Sequence, residues 1–161
     1  MRTSVRRAVV SIASGIGVVL ATFQASAQGV EPGIEGVWRV TRHGVNCQTG
    51  MQVNAFPALM TFHKDGTITS DAVGPGSTAA EGTSEHGVWQ REPGRQRYSF
   101  RILSYGWDDT GAFEGSAEIT GELQVTTRND FSYNASIQFF DPNGGPLGPQ
   151  HCGSATGTRF E

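Results

Sequence analysis

Residues 112–126 read AFEGSAEITGELQVT, and apolar or small side chains alternate with polar ones along the whole stretch. One face carries Phe113, Gly115, Ala117, Ile119, Gly121, Leu123 and Val125, and the other carries Glu114, Ser116, Glu118, Thr120, Glu122 and Gln124. A period of two residues is that of a β-strand with one face against a core and one face in water. The stretch therefore predicts a strand of an antiparallel sheet, the sheet type that tolerates one wet face.

The same alternation continues on both sides of this stretch. Residues 131–140 place Phe131, Tyr133, Ala135, Ile137 and Phe139 on the inner face, and residues 97–105 place Tyr98, Phe100 and Ile102 there. Turn residues rich in Gly, Pro, Asn and Asp separate the apolar runs, as at Lys64-Asp65-Gly66. The predicted strands are 35–43, 58–63, 67–71, 86–91, 97–105, 112–126, 131–140 and 151–160. The chain is therefore predicted to be all-β, with an irregular segment from Ala72 to Glu85.

The first 27 residues have the composition of an export signal. Arg2, Arg6 and Arg7 precede a mostly apolar run, and Ala25-Ser26-Ala27 offers small residues for cleavage. The apolar run, Ala8 to Phe23, is about 16 residues long, whereas a membrane-spanning helix needs about 20. This favours cleavage over a membrane anchor. We predict a signal peptide over 1–27, an N-terminal extension over 28–34 and a single domain over 35–161, in a secreted or periplasmic protein with no membrane span after cleavage.

The predicted mature chain is acidic. Loss of the signal peptide leaves nine basic residues against fifteen acidic ones, a net charge near −6, and Lys64 is the only lysine. Nucleic-acid binding depends on Lys and Arg side chains that neutralise phosphates. We therefore expect no nucleic-acid partner, and attachment to an anionic membrane surface is disfavoured for the same reason.

Both cysteines, Cys47 and Cys152, lie in the predicted mature chain. Two cysteines in an oxidising compartment favour a disulfide. The alternative is a metal site that also uses His43 and His151, but their spacing matches no strong zinc signature. We predict the disulfide and no metal site.

Eight short antiparallel strands form either a sandwich or an up-and-down barrel. If Cys47 faces Cys152 across antiparallel strands, Val40 lies opposite Arg159, and Trp38 is the diagonal neighbour of Arg159. A bulge at Gly44 would shift this register by one residue. The first and last strands are then partners, which closes the sheet. We therefore expect an eight-stranded antiparallel up-and-down barrel.

The start of the predicted domain, Gly36-Val37-Trp38, resembles the Gly-X-Trp motif of lipocalins and the wider calycins. Arg159 stands where those folds place a basic side chain over the Trp ring at the closed end of the barrel, a contact that contributes about 0.5–2 kcal/mol. Residues 35–160 also resemble uncharacterised secreted bacterial proteins with a Gly-X-Trp start; the shared motifs are Thr61–Gly66, His86–Trp89 and Asp141–Gly144. Unlike lipocalins proper, the chain lacks a C-terminal helix.

The calycin resemblance implies a lipocalin-like protein that binds a small hydrophobic molecule inside the barrel without a cofactor. An eight-stranded barrel is wide enough to hold one small molecule or to be filled by its own side chains. The inner faces predict a lining of Met60, Phe62, Tyr98, Phe100, Ile102, Phe113, Ile119, Leu123, Phe131, Tyr133 and Ile137. A plain core role is the alternative for each of these residues. The Ala72–Glu85 segment is a candidate lid.

Two other functions stay open. One is an isomerase or cyclase on a barrel resembling allene oxide cyclase, in which a buried polar group directs a reactive lipid; the other is a filled structural barrel with a protein partner. His63 and His86 are the best acid–base candidates, but the alternation points His63 outward, and Asp108-Asp109 falls in a turn. An enzyme requires an inward ionisable group, and the alternation identifies none besides Arg159. We assign no catalytic residue, and binding is favoured over catalysis.

Overall fold

The computed structural model describes residues 33–160 except 75, 77–81 and 95. The predicted signal peptide, most of the N-terminal extension and part of the Ala72–Glu85 segment lie outside the described residues. The described chain contains eight strands and no helix. The strands are β1 (Gly36–Val45), β2 (Gln52–Phe62), β3 (Thr67–Ala72), β4 (Glu85–Arg91), β5 (Arg97–Trp107), β6 (Phe113–Val125), β7 (Asp130–Phe140) and β8 (Pro146–Arg159).

The strands form one closed barrel in chain order. Each strand pairs with its neighbour in the sequence, β1 also pairs with β8, and all of these pairings are antiparallel. The predicted all-β up-and-down barrel is confirmed. Closure gives the first and last strands a partner on both sides, so that the sheet has no free edge strand.

Strands β2 and β8 begin earlier than the sequence predicts, and both extensions contain proline. They start at Gln52 and Pro146 and include Pro57 and Pro149. The extension of β2 pairs with β1 alone, and the extension of β8 pairs with β7 alone. Proline cannot donate to a ladder, so it is tolerated where one side of a strand has no partner. The two extensions rise at the same end of the barrel.

Cys47 and Cys152 form the predicted disulfide, with 5.3 Å between their Cα atoms. The predicted register beside it is wrong, because Trp38 rather than Val40 lies opposite Arg159. The ladder pairs Cys152 with Val45, the last residue of β1, and Cys47 lies in the turn that follows. The disulfide therefore ties the end of the ladder instead of joining two directly opposed residues.

Trp38 closes one end of the barrel. It is fully buried, and its Nε1 donates to the Ile34 carbonyl at 2.8 Å. The guanidinium carbon of Arg159 lies 4.2 Å from the centre of the Trp38 ring. Arg159 also donates to the carbonyls of Glu35, at 2.6 Å, and Gly33, at 2.8 Å. The cation therefore holds the end of the N-terminal extension over the indole, and Ile34 joins the core.

Aromatic rings fill the half of the barrel next to Trp38. Phe131 makes edge contacts with Trp38 and Phe62, at centroid distances of 4.9 and 6.1 Å. Two inner glycines make room for rings: a Cβ at Gly157 would overlap Phe131, and a Cβ at Gly121 would overlap Phe100. The space left by these glycines is therefore occupied by the protein itself, and this half of the barrel is packed.

We expect Cys47→Ser to lower the melting temperature under oxidising conditions. The disulfide joins residues 105 positions apart, and chain entropy gives about 4.7 kcal/mol as an upper value for a loop of about that length. Thermal unfolding with and without reductant measures the effect. The melting temperature of the variant should not change with reductant and should equal that of the reduced parent. A parent with the same melting temperature in both conditions would contradict the disulfide.

Trp38→Ala should lower the free energy of unfolding by about 3–5 kcal/mol, because it removes a fully buried aromatic side chain. Urea unfolding at equilibrium gives the value. Leu59→Ala is the matched control on the outer face of β2: Leu59 is 49 % exposed, and its change should stay within about 0.5 kcal/mol. A loss at Trp38 no larger than the control would show that the closed end does not hold the barrel.

Candidate functional site

In the part of the chain that the structure describes, the end of the barrel opposite Trp38 is open and contains a cavity of about 1170 Å³, here called the open-end cavity. Ile119, Ala135 and Ile137 face it from β6 and β7 and are only half-buried. The disulfide lies at its rim, together with side chains of the β2 and β8 extensions. Ile119 and Ala135 pack against the core on one side, so the inward-facing apolar side chains of this half of the barrel are only partly covered.

The predicted lining residues divide between the two halves of the barrel. Three of them line the open-end cavity: Ile119, Tyr133 and Ile137. Seven lie in the packed half and are at most 3 % exposed: Met60, Phe62, Tyr98, Phe100, Ile102, Leu123 and Phe131. Alternation predicts which face of the sheet a side chain occupies, but it carries no information about the height of that side chain along the barrel axis.

Phe113 lies outside the barrel, contrary to the inward position predicted for it. The pairing of β5 with β6 shifts between Gly106 and Trp107, so that Gly106 faces Gly115 and Trp107 faces Phe113. The extra residue, Glu114, reverses the alternation at the start of β6. Phe113 is 43 % exposed and makes edge contacts with Tyr105 and Trp107, which line the open-end cavity.

A buried ion pair forms the floor of the open-end cavity. Arg42 donates to both carboxylate oxygens of Glu85, from Nη1 to Oε1 at 2.8 Å and from Nη2 to Oε2 at 2.6 Å. Nη2 also donates to Ser70 Oγ at 2.9 Å. Arg42 is 6 % exposed and Glu85 is 8 % exposed, and both line the cavity. A two-pronged contact of this kind fixes the orientation of both side chains.

Neither residue of this ion pair belongs to the predicted site, although the alternation of β1 indicates the position of Arg42. Arg42 shares the alternation of Trp38 and Val40 on β1, so the rule that places Trp38 inside also places Arg42 inside. No alternation indicates that Glu85 points inward, because this residue is predicted to end an irregular segment. In the structure it begins β4 and lies opposite Ser70 of β3. The inward ionisable groups that distinguish an enzyme from a plain binder are therefore present.

Burial and the neighbouring groups together set the charges in the cavity floor. Burial acts to lower the pKa of Arg42, but Tyr133 and Glu85 outweigh it, and the pKa of Arg42 is raised. Burial raises the pKa of Tyr133, while the positive charge of Arg42 opposes that shift. Arg42 is therefore positive and Tyr133 protonated at neutral pH. Glu85, with both oxygens accepting from Arg42, is the matching carboxylate.

The acid–base candidates from the sequence do not contribute to this floor. His63 and His86 are exposed on the outer surface, and His63 Nε2 lies 3.3 Å from Thr69 Oγ1. Asp108 stands at the rim, where its Oδ1 accepts hydrogen bonds from Thr110 and from the Ala112 amide. The bond from the Thr110 hydroxyl is the main reason that the pKa of Asp108 is lowered. Asp108 therefore stabilises its own turn.

The part of the chain that the structure describes contains no group of three His, Cys, Asp or Glu side chains arranged to bind a metal ion. Within the same residues, no helix has the length and apolar character needed to cross a membrane.

Comparison of the chain with known protein families finds no family model that matches it. A comparison with characterised proteins finds no significant match either. The geometry of the open-end cavity therefore carries the functional argument.

We expect Arg42→Met alone to lower the free energy of unfolding by about 3–5 kcal/mol, because it leaves Glu85 as an unpaired buried carboxylate. The double variant Arg42→Met/Glu85→Leu should be more stable than Arg42→Met, since no charge then stays buried. Urea unfolding of both single variants and the double variant gives the coupling energy.

The exposed pair Arg101–Glu118, 2.7 Å between Nη2 and Oε2, is the control for this cycle. Arg101→Met/Glu118→Leu should show a coupling below about 1 kcal/mol, as exposed ion pairs do. Strictly additive losses at Arg42 and Glu85 would contradict a coupled pair.

Proposed function

We propose that this protein is a secreted or periplasmic carrier that binds one small, largely apolar molecule in the open half of its barrel. The observation that carries this proposal is the open-end cavity itself, about 1170 Å³ in volume and rimmed by the ends of the strands. Small-molecule sites in proteins are concave, mostly apolar and usually formed before the ligand arrives. The open half of this barrel, closed from below by the packed half, is a concave site of this kind.

The cavity wall supports an apolar body for the ligand. Ile119, Ala135 and Ile137 face the lumen but are only half-buried, whereas inward residues of the other half are almost completely buried. Covering apolar surface of this kind contributes about 25 cal/mol per Å² removed from water. A ligand with an apolar body therefore gains free energy where it covers these half-buried side chains.

The compartment in this proposal rests on two features. The N-terminal 27 residues have the composition of an export signal. The Cys47–Cys152 disulfide is compatible with an oxidising compartment, because cytosolic thiols are kept reduced.

The buried polar floor favours an enzyme as the second candidate function. Glu85 is a carboxylate and Tyr133 a protonated phenol, and both line the open-end cavity. A carboxylate base and a phenolic acid are groups that move protons in isomerisations. The two functions separate when the molecule that copurifies with the protein is extracted, returned to it and analysed by chromatography. A carrier releases it unchanged, whereas an isomerase converts it to an isomer of the same mass.

The carrier proposal predicts that a bulky residue inside the open half blocks binding. N-phenyl-1-naphthylamine, a neutral apolar dye, should bind and brighten in the parent protein. Ala135→Trp places an indole in the lumen and should weaken binding by about tenfold or more, equivalent to about 1.4 kcal/mol. Fluorescence titration measures the affinity, and circular dichroism checks that each variant is folded.

Val88→Trp is the matched control for this experiment. Val88 is 58 % exposed on the outer face of β4, so the same indole is added outside the barrel and should leave dye affinity within about twofold, as for an ordinary surface change. Absence of dye binding in the parent, or an equal loss in both variants, would overturn the proposal that the open half is the site.

A further inference from the structure

We propose that the open-end cavity selects an electrically neutral molecule, with an oxygen that accepts a hydrogen bond from Arg42, over an organic ion of the same size. This inference rests on the proposed carrier function and specifies the chemical class of the ligand. Long-chain alcohols, aldehydes, ketones and esters belong to this class, whereas ionised fatty acids and protonated amines do not.

The first support is an unused donor on Arg42. Both terminal nitrogens donate to Glu85, and Nη2 also donates to Ser70. The third nitrogen, Nε, is buried and has no hydrogen-bond partner among the described residues. Buried polar groups in native proteins almost always have a hydrogen-bond partner, so a buried donor without one requires an explanation. Arg42 lines the open-end cavity, but Nε is enclosed below the cavity surface. An oxygen atom of a bound ligand therefore pairs with Nε when the Tyr133 side chain, which also hydrogen-bonds Arg42, moves aside.

The second support is the charge balance in the floor. Arg42 carries one positive charge and Glu85 one negative charge, and their closest atoms are 2.6 Å apart. The two charges cancel, so a carboxylate brought to Arg42 would find its positive charge already neutralised and would lie beside a second carboxylate. Like charges at short range in a buried site repel strongly. The floor therefore accepts a neutral acceptor more readily than an anion.

The rim adds to the discrimination against anions. Among the described residues that line the open-end cavity, Arg42 is the only Arg or Lys, whereas Asp108, Asp109 and Glu114 stand at the rim. These carboxylates make the entrance negative. They lie near water, where their attraction for a cation is screened, and a cation that moved past them would lose its hydration beside the already paired Arg42. Both signs of charge are therefore disfavoured at the floor.

The test compares three ligands of equal chain length as competitors of N-phenyl-1-naphthylamine at pH 7.5. They are 1-decanol, which is neutral, decanoate, which is an anion, and decylammonium, which is a cation. In the parent protein, 1-decanol should displace the dye at a concentration about tenfold lower than either ion. Equal or better displacement by decanoate or decylammonium would overturn the inference while leaving dye binding, and with it the carrier proposal, intact.

Glu85→Gln supplies the sharper arm of this test. The substitution keeps the size of the side chain and one oxygen that accepts from Arg42, but it replaces the other oxygen by an NH2 group and removes the negative charge that balances the guanidinium. Decanoate should then displace the dye at a concentration at least about tenfold lower than in the parent, as expected for a hydrogen-bonded charge pair, and should overtake 1-decanol. An unchanged order of the three ligands in a folded Glu85→Gln protein would overturn the role of the ion pair.

The double variant Arg42→Met/Glu85→Leu covers the case in which Glu85→Gln does not fold. It removes both charges and the guanidinium donor from the floor, so it should keep dye binding but lose about tenfold in affinity for 1-decanol, the value of a hydrogen bond to a charged donor. Unchanged affinity for 1-decanol would show that Arg42 does not contact the ligand. Val88→Trp, outside the barrel, should leave the order of the three ligands as in the parent.

Discussion

The pairing of β1 with β8 is the constraint on which the rest of the structure depends. Because the sheet is closed, it has an inner and an outer face. Alternating side chains of the other strands therefore point either into the core or into solvent. The pairing is secured at both ends: Arg159 lies over the ring of Trp38 at the closed end, and the Cys47–Cys152 disulfide joins β8 to the turn after β1 at the other. Arg159 also hydrogen-bonds the segment that precedes β1.

Closure divides the interior into two halves with different chemistry. Next to Trp38, the rings of Phe62, Phe100 and Phe131 occupy the lumen and are almost completely buried. Toward the open end the inward side chains are smaller, and the lumen becomes a cavity. The Arg42–Glu85 pair lies at the boundary between the halves. A buried ion pair adds little or no stability relative to apolar side chains of similar size, and the proposed ligand would meet this pair at the cavity floor.

Alternation predicts the inward face correctly along most of the barrel and fails where the backbone departs from a regular ladder. The shift between Gly106 and Trp107 turns Phe113 outward, and a single residue inserted into a strand leaves no reliable mark in the hydrophobic pattern. The register beside the disulfide is missed for a related reason. Cys47 lies beyond the end of β1, so the cysteine pair does not report which residues face each other.

The sequence alone determines the strand count, the closure and the disulfide, because each follows from local alternation, turn residues or the cysteine pair. The cavity and the partner of Arg42 depend on the assembled barrel. Arg42 and Glu85 are 43 residues apart in the chain. Closure of the barrel brings Arg42 of β1 within reach of Glu85 of β4 and of Ser70, the residue opposite Glu85 on β3. Whether an inward side chain packs in the core or lines a cavity depends on its height along the barrel axis. That height is set by the register of all eight strands in the closed barrel.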